Sequence, residues 1–248
     1  MRTPHKITPD YLKDTIVEIR LAFNVSRELI PGLVLEALSP IGFGYTPVST
    51  SNPSGVNISL GPNQQVAVGI GGNGHGFFIK ENVRVQFFDS QIFFNCLADK
   101  YIGWNAYSQE IIMVIEQLMK KQFVKFFNRV SIRYISEFKD IEILKNIKGE
   151  INIQSVGVKL DNAILRLTDE VGNMKTFITL TNKAKRISPQ ESQIIEASLV
   201  DINVFENFEP STDTDFLKEK LNQTHSKQKD TFFGLISDHF LKTLNPEY

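Results

Sequence analysis

The chain has 248 residues, 42% of them hydrophobic and 22% charged, with a formal net charge of -1. This is ordinary globular composition, which excludes wholesale disorder and leaves room for one large domain or two small ones. A near-neutral chain has no overall drive toward phosphate backbones or anionic membranes, and the single cysteine, Cys96, excludes an internal disulfide and so a disulfide-stapled secreted fold.

The N-terminal stretch MRTPHKITPDYLKD is polar, carries two prolines and lacks an apolar core of the signal-peptide kind. No apolar run approaches the roughly 20 residues needed to span a bilayer. A cytoplasmic, soluble protein without a membrane partner is expected, with residues 1–13 as a loosely held arm.

From Asp14 to Phe23 the sequence DTIVEIRLAF alternates, with Val17, Ile19, Leu21 and Phe23 opposite Ile16, Glu18 and Arg20. That period of two predicts a half-buried strand. Ser26 can then cap a helix from Arg27 to about Leu38, with Glu28 in its first turn and Pro31 tolerated near its start. Pro40, Gly42 and Gly44 end it. Between Tyr45 and Ala98 short β-like runs (YTPVSTS, GVNISLG, QQVAVGI, GFFIKE, VRVQFF, QIFFNCL) are separated by turn chemistry at Asn52–Gly55, Gly61–Asn63 and Asp89–Ser90. An antiparallel meander of about four strands follows from that punctuation.

The stretch from Trp104 to Phe138 sits in the middle of the chain. Asn105 or Ser108 can cap a helix whose apolar face is Ile111, Ile112, Ile115, Leu118, Met119 and Phe123, with Lys120, Lys121 and Lys125 near its carbonyl end. A strand follows from Val130 to Glu137, with Val130, Ile132 and Tyr134 opposite Ser131, Arg133 and Ile135. The rest repeats the same order of elements. A short turn or helix lies at Asp140–Ile147. Then come the strand-like runs GEINIQSVGVKL, NAILRLTD, KTFITLTN and IIEASLVDINVF, and last a helix from Asp213 to Leu244, kinked near Gly234. The expected fold class is therefore α+β, built from two β-α-β(4)-α units over 14–128 and 129–248 that are related by a pseudo-twofold axis.

Chemical signatures are sparse. Gly69, Gly71 and Gly74 match G-x-G-x-x-G, but a dinucleotide site needs that turn to open a helix, and here FFIKENVRVQFF follows. A flexible hairpin tip is the expected role. His5, His75, His225 and His239 do not pair at zinc spacing. His225 and His239 are about 21 Å apart on one continuous helix, too far to share a metal. Cys96 lies in IFFNCLA with no basic neighbour and reads as a buried small hydrophobe. Asp99, Asp140, Asp161, Asp169 and Asp201 fall at turns or in strands, where caps and turn contacts explain them. No catalytic, cofactor-binding or metal-ligating set emerges, and the expected cofactor is none. The paired phenylalanines (Phe77–Phe78, Phe87–Phe88, Phe93–Phe94) put one ring on each face of a strand, and both faces are expected to be covered.

Arg133 interrupts an apolar strand, as Arg84 and Arg166 do elsewhere. Such an arginine points to solvent, or lies under a helix with an acid such as Glu18 or Asp201 as partner. The string Ser131-Ile132-Arg133-Tyr134-Ile135-Ser136 resembles the L-R-Y-I-N strand of a sporadically distributed bacterial family of uncharacterised proteins. VEIRLAF, Trp104 before the central helix, Leu199-Val200-Asp201-Ile202, and a closing helix with His225 and FFGLIS agree with it in order. Ser136 stands where that family usually has Asn, and Asn203 where a second Asp is common. The resemblance implies an accessory gene of mobile-element, defence or toxin–antitoxin type, but no activity.

The functional expectation is a non-enzymatic interaction module with a protein partner from the same gene neighbourhood. Arg133, Tyr134, Trp104 and His225 are the candidate contacts. A small-molecule-binding protein or enzyme with a pocket between helix and sheet is the alternative. Nucleic-acid binding on a saddle-shaped sheet ranks last unless Arg20, Arg84, Arg133 and Arg166 converge on one face.

Overall fold

The structure is a computed structural model that describes residues 3–4, 6–8, 11–46, 59–60, 66–67, 77–97, 101–149, 160, 162–187 and 194–248. The glycine loop 69–76, the turns at 52–55 and 61–63, most of GEINIQSVGVKL, and His5, His75, Asp99 and Asp161 lie outside those residues. The protein is mixed α+β, with a large antiparallel sheet and several helices. Its strands are β1 (Leu12–Phe23), β2 (Gly44–Thr46), β3 (Ser59–Leu60), β4 (Val66–Ala67), β5 (Phe77–Lys80), β6 (Val83–Phe88), β7 (Gln91–Leu97), β8 (Val124–Lys139), β9 (Ile164–Val171), β10 (Met174–Ile187) and β11 (Ile194–Ser211). Nine of them form one sheet in the order β2-β5-β6-β7-β1-β8-β11-β10-β9, while β3 and β4 pair separately. β1 and β8 therefore lie side by side at the centre of the sheet.

The helices are α1 (Ile30–Leu38), α2 (Trp104–Lys120), α3 (Thr214–Leu235) and α4 (Asp238–Thr243). The first expected helix is divided: Arg27–Leu29 is a 3-10 turn, and α1 starts at Ile30 with Pro31 in its first turn. Neither Asn105 nor Ser108 caps α2. Gly103 takes that place at φ 81°, a left-handed value that suits glycine, and its carbonyl accepts from Tyr107 N–H at 3.0 Å. The buried face of α2 is Tyr107, Ile111, Val114, Ile115 and Leu118. Phe123 falls just beyond the helix. Gln122 turns left-handed at φ 59°, and Phe123 N–H reaches back to Leu118 O at 3.0 Å, which ends α2 by satisfying a last-turn carbonyl. Asp213 caps α3 by accepting from the backbone of Asp215 and Phe216 at 2.9 and 3.1 Å.

The expected final helix is also two helices. α3 stops at Leu235, Ile147 and Ile236 form a β-bridge, Ser237 N–H donates to Asn146 O at 2.7 Å, and Ser237 caps α4. The interruption thus lies just after Gly234, where the 143–148 connection pairs with the backbone. That connection is a 3-10 turn at Ile143–Lys145 with Ile143 and Leu144 buried. The expected loose arm is tied down: Thr8 N–H donates to Leu244 O at 3.0 Å, Lys6 and Glu247 form a β-bridge, and Tyr11 stacks on Phe138 at 4.8 Å. Carbonyls left open where α4 ends supply the partner.

All four helices cover one face of the sheet. Val17, Ile19, Val85, Phe94, Val130 and Ile132 pack with α1, α2 and the first turns of α3 in one core cluster. Phe138, Ile178, Leu180, Val200 and Ile202 pack with the end of α3 and with α4 in a second. α3 spans both, contributing Leu217 and Leu221 to the first and Phe232 to the second. Among the described residues no helix is long and apolar enough to cross a membrane.

Candidate functional site

Three of the four sequence-nominated residues come together on the helix-covered face. The Trp104 indole opens α2 and stacks on the His225 imidazole of α3, with ring centroids 4.2 Å apart and planes 1° from parallel. Its Nε1–H donates to Asn222 Oδ1 at 2.9 Å. Tyr134, pointing up from β8, lies 5.9 Å from the His225 ring, and its hydroxyl is 2.8 Å from that of Tyr101. Tyr107 meets both Trp104 and Tyr101 edge-on at 6.3 Å. Burial, with Lys229 as a smaller influence, lowers the His225 pKa from 6.5 to about 4. Burial likewise pushes the Tyr107 and Tyr134 phenols well above their ordinary value. The imidazole is therefore neutral near pH 7 and the phenols keep their protons. Chemically the cluster is an aromatic cross-brace that locks α2 to α3 and β8. Sequence reasoning missed Tyr101, Tyr107 and Asn222. Asn222 lies 118 residues from Trp104, and no local pattern joins them.

Arg133 is on the other side of the sheet. It neighbours Tyr134 in β8, and successive strand residues point to opposite faces. The choice posed by the sequence has a mixed answer: Arg133 faces away from the helices and is nevertheless paired, through a bidentate contact with Asp201 at 2.8 and 2.7 Å. Burial works against its charge, but Asp201 and then Asp14 outweigh burial and raise the guanidinium pKa.

The strand registers place Arg20, Arg84, Arg129, Arg133 and Arg166 on this second face. One rank of cross-strand neighbours runs Ile79, Arg84, Asn95, Ile16, Arg133, Asn203, Phe177 and Thr168. The rank on one side holds Phe77, Gln86, Phe93, Glu18, Ser131, Phe205, Lys175 and Glu170. Arg20 beside Arg129 lies further that way, while Asp14, Ile135, Asp201, Thr179 and Arg166 lie on the opposite side. Arg20, Arg84, Arg133 and Arg166 thus converge, joined by Arg129, which the sequence reading did not single out although it shares the parity of Arg133.

This convergence does not make a strongly positive surface, because Asp14, Glu18, Glu137, Asp201 and Glu170 point the same way. Arg20 binds Glu18 at 2.9 Å. Asn95 donates to Asp14 at 3.4 Å, and burial raises the Asp14 pKa against the opposing pull of Asn95, Arg84 and Arg133. Ser131 donates to Asn203 at 2.7 Å.

Aromatic rings fill the spaces between charges. The Arg129 guanidinium lies 4.1 Å over the Phe205 ring and that of Arg84 lies 4.8 Å over Phe77. Phe177 stacks on Phe205 at 5.6 Å and is itself 43% exposed. The paired phenylalanines correct the expectation of two equally covered faces: Phe78, Phe87 and Phe94 are in the core, whereas Phe77, Phe88 and Phe93 are half-buried beside polar groups. Among the described residues no helix packs on them from this side, and long arginine side chains supply part of their cover.

Among the described residues, no group of three or more His, Cys, Asp or Glu side chains is placed to hold a metal ion. Cys96 is buried, and burial raises its thiol pKa. The chain matches no protein-family model and no curated protein.

Proposed function

We propose that this chain is a non-enzymatic interaction module that binds a protein partner on the helix-free face of its sheet. The observation that carries this reading is the interleaving of arginines, phenylalanines and carboxylates there, with Arg84 and Arg129 lying over rings and Arg20 and Arg133 paired with acids. Arginine and aromatic side chains are enriched in protein interfaces and dominate their binding energy. A phosphate-binding face needs unmatched positive charge, and here acids stand among the arginines. The helix-covered face offers less to a ligand, since large side chains such as Tyr107, Phe94 and Phe127 fill it. The order of elements and the central placement of β1 and β8 support the finer reading of a duplicated β-α-β(4)-α unit with pseudo-twofold symmetry. The resemblance of the Arg133–Tyr134 strand supports a cytoplasmic, bacterial accessory system as the setting, with the partner encoded nearby.

The test is affinity capture of the tagged chain at native expression, after nuclease treatment. Wild type is compared with Arg20→Glu combined with Phe177→Ser, and with Lys218→Glu on the outside of α3 as control. A stoichiometric protein retained by wild type and control and lost by the sheet-face variant is expected. Retention by all three, or salt-dependent binding of DNA or RNA by the purified chain in place of a protein, would overturn the proposal.

A further inference from the structure

The edge that β9 presents among the described residues suggests a second mode of assembly, distinct from binding of the proposed partner. Among the described residues β9 has one hydrogen-bonded neighbour, β10, so its outer backbone donors and acceptors face away from the sheet. At eight residues it is a much longer edge than β2, which has three. Leu167 is 41% exposed and Val171 59% exposed, both on the helix side, while Arg166, Thr168 and Glu170 point to the other side.

We infer that β9 pairs antiparallel with β9 of a second copy of this chain, about a twofold axis through Thr168. A twofold axis perpendicular to the sheet keeps the helix layer of both copies on one side and brings together residues of like parity. Centring on Thr168 sets Arg166 opposite Glu170 of the second copy, and Glu170 opposite its Arg166. On the helix side Val171 meets Leu165, and Leu167 lies diagonal to its own counterpart. Centring two residues earlier opposes Arg166 to itself, and two residues later opposes Glu170 to itself. Centring one residue later opposes Asp169 to itself, and one residue earlier sets Arg166 opposite Thr168 and Glu170 opposite Ile164. Like charges directly opposite are destabilising, and the Thr168 register is the one that opposes unlike charges twice. Glu170 already lies 3.0 Å from Lys175 of its own chain at an exposed position, and it can exchange that contact for Arg166. Two eight-residue strands bury less than the roughly 1,000 Å² of a stable interface, so the dimer is concentration-dependent.

Sedimentation velocity of the full chain over a concentration series tests this. Wild type is expected to shift from monomer to dimer mass with rising concentration. Arg166→Glu and Glu170→Arg are each expected to stay monomeric, because each opposes like charges in both pairs, and an equimolar mixture of the two is expected to regain dimer mass. Unchanged circular dichroism and thermal midpoint show that the variants are folded. A wild type that stays monomeric throughout, single variants that still dimerise, or a mixture that stays monomeric would each overturn the inference. Leu167→Asp lies on the helix side of β9, off the proposed partner face, and sets a carboxylate opposite Asp169 of the second copy. It is expected to stay monomeric while its partner capture matches wild type, which separates the two readings.

Discussion

Ile132 and Arg133 are adjacent in β8, and between them they separate the two faces of the sheet. Ile132 has no exposed surface and lies beneath the helices, where apolar contact is the main stabilising term. Arg133 retains a quarter of its side-chain exposure and is held by Asp201, among rings and charges that no helix covers among the described residues. One face is filled by the chain itself. The other is polar, aromatic and nearly charge-balanced, which is expensive to arrange for stability alone and suited to recognition.

Truncation should separate the faces most sharply. Ile132→Ala removes buried atoms from a packed core and should cost about 3 kcal/mol in urea unfolding. Arg20→Ala, at a side chain 48% exposed, should change stability by less than about 0.5 kcal/mol. Equal losses would break the comparison.

The covered face should also carry the acid sensitivity. His225 is held near pKa 4 in the fold and titrates near 6.5 when unfolded. Between those values the unfolded chain takes up a proton that the folded chain refuses. The stabilisation is complete above pH 6.5 and is lost as pH falls toward 4, by roughly 3 kcal/mol. His225→Phe keeps a ring against Trp104 and should flatten that part of the stability–pH curve. An unchanged slope would place the titrating group elsewhere.

The second face gives smaller effects. Arg133→Ala and Asp201→Ala each leave a half-buried partner charge, at roughly 2 kcal/mol, and the double variant should cost clearly less than their sum. Additive costs would mean that the bidentate contact contributes nothing specific. Smallest of all, Phe177→Ser should leave the thermal midpoint within about 2 °C of wild type, since the ring is 43% exposed.

The sequence made local geometry readable and left long-range geometry hidden. The alternation in Val130–Glu137 correctly separated Val130, Ile132 and Tyr134 from Ser131, Arg133 and Ile135, because strand parity is a property of neighbours. The same strand is twice as long as its apolar pattern implied, since Arg129 and Lys139 pair as well as any residue in an antiparallel ladder. Trp104 and His225 were both nominated, yet their stacking could not be read, because it depends on how α3 crosses the first core cluster. The arginines were visible one at a time. Only the register across nine strands brings them to one face.

Hydroxyl-radical footprinting of the captured complex against the free chain measures most directly which face is used. Phe77, Phe88, Phe93 and Phe177 are expected to lose reactivity when the partner is bound, while Phe216 and Phe233 on α3 are unchanged. Protection confined to α2 and α3, with the sheet-face phenylalanines as reactive as in the free chain, would contradict use of the helix-free face.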